Sequence, residues 1–489
     1  MSKPLPENAS LEHLKSQAKS LLLTLRNGDP EALAQFQKLA LAEPFKLAQA
    51  QLIVARDYGF DSWSKLKRHV EGFPSQRAEF FAAIRAGDRQ RVAALLSKAP
   101  ELAGSNDPDD FGSTPITQAA NRNDLPMIDL LLQCRADINA KSTWWAGGFG
   151  PLDFADEATS EALIQRGAKL TAHAASRLGR IEELKAILQN EPQAVHQRGG
   201  DGQFPLHFAK TPEIVDILVE AGADLDARDL DHHGTAAQFL IHEIPVLERL
   251  VHHGATQDVF TAVMLQDLET LAALLDADPD ALRRRAGDPG NPWIPEAPGS
   301  HAYAYSIGNV RPHQVASRFE RHEAYRLLWD RSDETLRLAM AAWAGDADAA
   351  GELLRLHPDL AKSLTREDHA LLASAAWVRK LDSVRLMLEL GFDPNVPGGE
   401  DSTPIDRAAF HGFDDVIEAI LPYGPDLSVK NVYGGTPLGA CMYGSVHGWR
   451  KDGNYPRSVR LLLEAGSPLP LETGGSAEVR AVLAEFGIA

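Results

Sequence analysis

Carboxylates, imidazoles and aromatic rings crowd one stretch of this chain. Glu400 or Asp401 with Asp406 could form a carboxylate pair, assisted by His411 or His447, which is the equipment for acid–base hydrolysis of a glycoside or another small polar substrate. Trp343, Trp377, Phe410 and Tyr443 run through the same region at intervals of 34, 33 and 33 residues. Rings at a fixed interval suit a different chemistry: stacking on a polypeptide, on a cationic group, or on the C–H face of a sugar. Arg366, His369 and Tyr433 add polar and aromatic groups beside them. Two long irregular stretches carry more. The first, near 288–312, holds Trp293, Glu296, His301, Tyr303 and Tyr305; the second, 444–454, holds His447, Trp449, Arg450 and Asp452 between glycines at 444, 448 and 453. Long loops inside a regular array are functional more often than not, the other reading being a surface loop packed on itself.

Signatures of other chemistries are missing. The sequence contains no His-Glu-x-x-His, phosphate-binding Gly-x-x-x-x-Gly-Lys, Gly-x-Ser-x-Gly or Cys-x-x-Cys, so neither a metal nor a cofactor is expected. With 49 Lys plus Arg against 68 Asp plus Glu, the net charge of −19 opposes binding to nucleic-acid phosphates and to anionic membranes. Arg283-Arg284-Arg285 is a local basic spot that reads as a solvated helix end. The two cysteines, Cys134 and Cys441, read as reduced thiols. No apolar run is long enough for a membrane span and Met1–Asn8 lacks a signal core, so a soluble, cytoplasmic chain is expected.

The elements that must position these residues are short helix pairs. Thr403-Pro-Ile-Asp-Arg-Ala-Ala-Phe410 and Thr436-Pro-Leu-Gly-Ala-Cys-Met-Tyr443 each open a helix with a capping Thr and a Pro in its first turn, and Gly391, Gly424 and Gly466 close the second helices. Comparable starts occur at Gly112-Ser-Thr-Pro-Ile and Phe204-Pro-Leu-His-Phe-Ala209, with degenerate ones at Pro151-Leu-Asp-Phe-Ala155 and Gly234-Thr-Ala-Ala237. The pattern, with its period near 33, resembles the ankyrin repeat and covers most of the chain. A slower repeat overlies it: helix pairs closed by Pro-x-x-Leu or Pro-x-x-Val around Pro100, Pro192, Pro279 and Pro358.

This resemblance implies an all-α solenoid of about twelve helix pairs with short finger hairpins. Residues 1–74 resemble the helical segment that often precedes ankyrin repeats in bacterial proteins and are expected to cap the stack. Residues 75–475 form the solenoid, and 476–489 a C-terminal capping helix. In the family, the residue after the Ala-Ala pair faces the concave groove, so the four-ring ladder is expected to be exposed there. Trp144 and Trp145 fall at a finger tip, where a partner, self-association or a loop would have to shelter them. The resemblance implies a binding scaffold for a protein or a small polar, ring-stacking ligand in the C-terminal half. The alternative is an enzyme in the same groove, using the carboxylates and histidines above.

Overall fold

The computed structural model describes residues 11–38, 45–470 and 473–488. The reading of Met1–Asn8 lies outside them, as do residues 39–44, 471–472 and 489 of the segments divided above. Among the described residues the fold is all-α, with no strand and one isolated bridge between Asp107 and Ser113. The chain separates into two compact units, Met1–Asp231 and His232–Ala489.

In the first unit, helices Leu11–Arg26 and Leu47–Asp57 pack together, burying Leu14, Ala18, Val54 and Ala55 with Leu66, and Trp63 lies half-buried at the edge of this cluster. Helix Trp63–Ala86 is continuous through position 74 and ends at Gly87 in a left-handed turn. Its C-terminal half brings Phe80, Phe81 and Ile84 into the core of the helix pairs Arg89–Lys98, Pro115–Asn121 and Leu125–Gln133. The first helices of two later pairs are missing or shortened. Pro151–Ala155 forms only turns, and Pro205–Phe208 is a single 3-10 turn. In both places the cap of the second helix comes too soon, Asp156 before Glu157–Gln165 and Thr211 before Pro212–Glu220, so no room remains for a two-turn helix.

The second unit is more regular. First helices Leu371–Trp377, Pro404–His411 and Pro437–His447 stack on one another, and second helices Leu381–Glu389, Asp414–Ile420 and Tyr455–Glu464 stack beside them. Each repeat hides the apolar stripe that its neighbour leaves open, with Val384, Met387, Ile405, Val416, Ile417, Leu438 and Val459 buried throughout.

The Arg283–Arg285 run is not a solvated helix end. Arg283 pairs with Asp333 at 2.8 Å, Arg284 with Asp278, and Arg285 donates to Glu367 O at 2.9 Å. Arg311 stands where other repeats carry the capping Thr, and its guanidinium reaches the buried Asp368 at 2.5 Å. All three arginines of the run are half-buried and engaged, two by carboxylates and one by a backbone carbonyl. Cys134 and Cys441 are both free; burial pushes the Cys441 thiol well above its ordinary pKa. No described helix is long and apolar enough to cross a membrane.

Candidate functional site

Three of the four ladder residues form one stack. Trp377 ends its helix and lies 5.8 Å from Phe410 at an interplanar angle of 18°; Phe410 lies 6.3 Å from Tyr443 at 26°. The local sequence explains this spacing. Thr403 and Asp406 cap the Phe410 helix reciprocally, and Gly412, at φ 68°, ends it. On the next helix, Gly444 sits directly against Phe410 O, where a Cβ would lie 1.9 Å from that oxygen, so the two backbones approach at this glycine and the rings beside them meet.

Trp343 does not join the stack. It is 3% exposed, its carbonyl accepts from Ser383 Oγ at 2.8 Å, and Lys380 Nζ covers its ring at 5.2 Å. In place of the expected four-ring exposed strip there is a stack of three, with Trp377 and Phe410 half-buried and Tyr443 exposed, because Lys380 of the following repeat covers Trp343.

The 444–454 stretch folds back over the stack. Helix Pro437–His447 continues past Tyr443 before the turn at Gly448, and Trp449 then lies 5.8 Å from Trp377, 5.5 Å from Phe410 and 5.2 Å from His411. A clasp holds the turn. Arg379 pairs with Asp415 at 3.2 Å and with Asp452 at 3.3 Å, Arg450 pairs with Asp452 at 2.9 Å, and Asn454 N donates to Gly412 O at 2.7 Å. The hydrogen bond from Arg450 holds the Asp452 carboxyl well below the usual carboxylate range. Both arginines also lie over the Phe413 ring, at 5.0 and 4.8 Å. The outer rings stay in water: Tyr443 is 59% exposed and Trp449 63%, with His447 against Tyr443 at 4.3 Å.

The acid–base candidates separate. Asp406 is buried as a cap, its Oδ2 accepting from Thr403 N at 3.1 Å and Thr403 Oγ1 at 3.0 Å, and burial pushes its pKa up to about 6. Glu400 is exposed on a finger, paired with Arg407 at 3.5 Å and accepting from Tyr433 OH at 3.1 Å; Asp401 is exposed beside it. His411 is buried beneath Trp449, and burial, with Arg450 and Arg407 nearby, lowers its pKa to about 4. Arg407 lies over the Trp377 face at 4.6 Å, so the cation for that ring comes from the chain itself.

The remaining candidates have other places. Arg366 and His369 lie not on a finger but at the two ends of the one-turn helix Arg366–His369, which Thr365 caps; Arg366 is exposed, and His369 Nδ1 accepts from Asp393 N at 3.1 Å while its ring packs on Phe392. The 288–312 loop packs on the repeat around Phe260 and does not roof the ladder. Tyr303 is buried and donates to Asp258 Oδ2 at 2.7 Å, Trp293 O accepts from Gln238 Nε2 at 3.1 Å, and His233 bonds Glu296 O at 2.7 Å. Tyr303 is thus a core residue and Trp293 half-buried, whereas His301 is half-buried and Tyr305 exposed against His232. The truncated repeat beneath, with helix Ala236–Phe239 only, leaves apolar surface that this loop covers. Sequence reasoning missed Arg379, Arg407 and Phe413 as parts of the site. Arg379 lies two residues after Trp377 and Arg407 three residues before Phe410, so neither shares the register of the rings and no periodic signal marks them.

Comparison with known proteins agrees with the repeat pattern. The ankyrin repeat family model matches residues 111–143 and 201–230. A probable E3 ubiquitin-protein ligase, XBOS33 of Oryza sativa subsp. japonica, is 35% identical over 145 residues, which are 29% of this chain and 26% of that protein, so the chain spans about a quarter of its length. Among solved structures, the Bd0816 predatory endopeptidase of Bdellovibrio bacteriovorus in complex with immunity protein Bd3460 aligns at 21% identity and a TM-score of 0.25, over 36% of this chain and 97% of that one. Capped Thr-Pro helix starts, stacked helix pairs and the two family matches together make this chain an ankyrin-repeat protein.

Proposed function

We propose that this ankyrin-repeat scaffold takes a polypeptide partner on the Trp377–Phe410–Tyr443 stack and the Trp449 turn beside it. One observation carries the reading: the ion-paired clasp holds Trp449 in place while most of its ring, and most of Tyr443, stays in water. Large rings left in water by a fixed backbone are what a partner's side chains bury. The exposed apolar surface also spreads further than a small ligand needs, from Val432 and Tyr433 on the finger to Val446 on the helix and Trp449 on the turn. A hydrolytic site in this groove has less support, since Asp406 is buried in a cap and Glu400 is engaged by Arg407 and Tyr433. A photo-crosslinking residue at the exposed Val446 should trap a protein, and Tyr443→Ala with Trp449→Ala should abolish the adduct while helical circular dichroism is unchanged. An adduct insensitive to both changes would place the binding surface elsewhere.

A further inference from the structure

Phe111, Trp144 and Trp145 gather at the tips of two neighbouring hairpins in the first unit. The Asp107–Ser113 bridge closes one hairpin, and Gly112 O accepts from Thr143 N at 3.0 Å, holding it against the other. Gly112 lies at φ 65°, and a Cβ there would come within 2.1 Å of Thr143 Oγ1, so the hairpins meet at a position that only glycine fits. This contact sets Phe111 edge-on to Trp144, with centroids 4.9 Å apart at 84°, and Trp144 lies 6.0 Å from Trp145. Trp144 Nε1 donates to Asp201 Oδ1 at 2.9 Å, which fixes the indole between its neighbours. Between these rings lies a cleft of about 490 Å³, its lining completed by Pro108, Asp109 and Thr143.

Three observations say what such a cleft accepts. Phe111 has φ 50° and is 56% exposed, so the backbone holds a left-handed conformation, unfavourable for a bulky residue, to keep this ring at the cleft instead of in the core. No described cation stands over any of the three rings, whereas Trp377 carries Arg407 and Phe413 carries Arg379 and Arg450. The Asp109 carboxylate is exposed at the lining, with no side-chain partner among the described residues. Ring faces attract cations, and one carboxylate adds a counter-charge. A bidentate guanidinium pair calls for a carboxylate held in a fixed plane, and the exposed Asp109 carboxylate has no described side-chain partner to hold it, while an unmodified ammonium is strongly hydrated. The lining therefore suits an alkylated ammonium, and the volume leaves room for its aliphatic stem.

We propose that the cleft between Phe111, Trp144 and Trp145 binds the methylated ammonium of a lysine side chain, with Asp109 as counter-charge. This site stands independently of the C-terminal stack. The test titrates the full chain with N-acetyl-trimethyllysine methylamide, its neutral isostere with carbon in place of the ammonium nitrogen, and choline, following indole N–H resonances. The trimethyllysine form should bind saturably and about tenfold or more tightly than the isostere. Trp145→Ala should lose about tenfold, Asp109→Asn should weaken binding severalfold, and Trp449→Ala should change nothing. Both cleft residues are exposed, and if Trp145→Ala loses its helical signal, Asp109→Asn decides the matter alone. Equal binding of the neutral isostere would overturn the assignment to a cation, choline binding as tightly as trimethyllysine would overturn the lysine source, and unchanged affinity in a folded Asp109→Asn or Trp145→Ala chain would overturn the site.

Discussion

Replacing Asp406 by Asn should stabilise the protein above pH 6 and destabilise it by about 1–2 kcal/mol near pH 4, where the folded carboxyl is already neutral and only the cost of the unpartnered amide remains. The carboxyl is almost wholly buried, its Oδ2 bound by Thr403 N and Oγ1 and its Oδ1 without a partner, and burial moves its pKa from 3.8 to about 6. Ionised in the fold at neutral pH, it carries a penalty of about 3 kcal/mol, since each pKa unit is worth about 1.4 kcal/mol. Asn keeps both acceptor bonds without the charge, but its amide N–H₂ faces the same unpartnered position, which costs about 1–2 kcal/mol. A net gain of about 1–2 kcal/mol remains above pH 6. The sign follows from where the proton goes: between 3.8 and about 6 the folded carboxyl keeps a proton that the unfolded one releases, so the wild-type contribution falls as pH rises through that window. His411 works in the opposite direction. With its pKa lowered from 6.5 to about 4, it stays neutral in the fold while the unfolded ring takes up a proton, so stability is lost as pH falls through that range. Because the two trends oppose each other in the wild type, the informative quantity is the difference between variant and wild type. Urea-unfolding midpoints followed by far-UV circular dichroism, from about pH 4 to about 7.5, measure it. A difference that does not vary with pH, or a variant less stable than wild type at the upper end, would refute the reasoning.

Gly444→Ala should destabilise by about 1–3 kcal/mol and raise Tyr443 exposure to quenchers, since its new methyl would meet Phe410 O and push the two helices apart. The His411 ring proton in an NMR titration should show no inflection above about pH 5, and an inflection between about pH 6 and 7 would contradict the burial that lowers its pKa. Arg379→Ala should leave helical content unchanged yet free the 448–454 turn, seen as faster amide exchange at Asn454, because it removes the contacts to Asp415 and Asp452 together.

The ring stack was legible because it repeats. Trp377, Phe410 and Tyr443 share a helix position, and a period of 33 places them on one face whatever the details of each repeat. Trp343 has the same position but lies under Lys380, and nothing local to residue 343 says that the next repeat's lysine will cover it. Asp406 looked like an acid from its type and neighbours, yet Thr403 three residues before it marks a capping box, and the cap explains the carboxylate fully. The 288–312 loop was read for its chemistry, while its place was decided by the truncated Ala236–Phe239 helix, whose uncovered face needs Tyr303. Contacts such as Arg379 to Asp452 join distant positions and leave no periodic trace. A fold made of repeats is readable at short range, and its departures from the repeat are where long-range contacts decide.

The central claim is that exposed rings of the C-terminal unit bind a polypeptide, and one titration tests it most directly. Random peptides displayed on phage are selected on the wild-type chain, and the selected sequence is titrated into wild type, Tyr443→Ala and Trp449→Ala by calorimetry. The account predicts that each substitution weakens binding by about 30-fold, corresponding to about 2 kcal/mol for a hot-spot aromatic, with both variants fully folded. Selected peptides that bind both variants as tightly as wild type would contradict it.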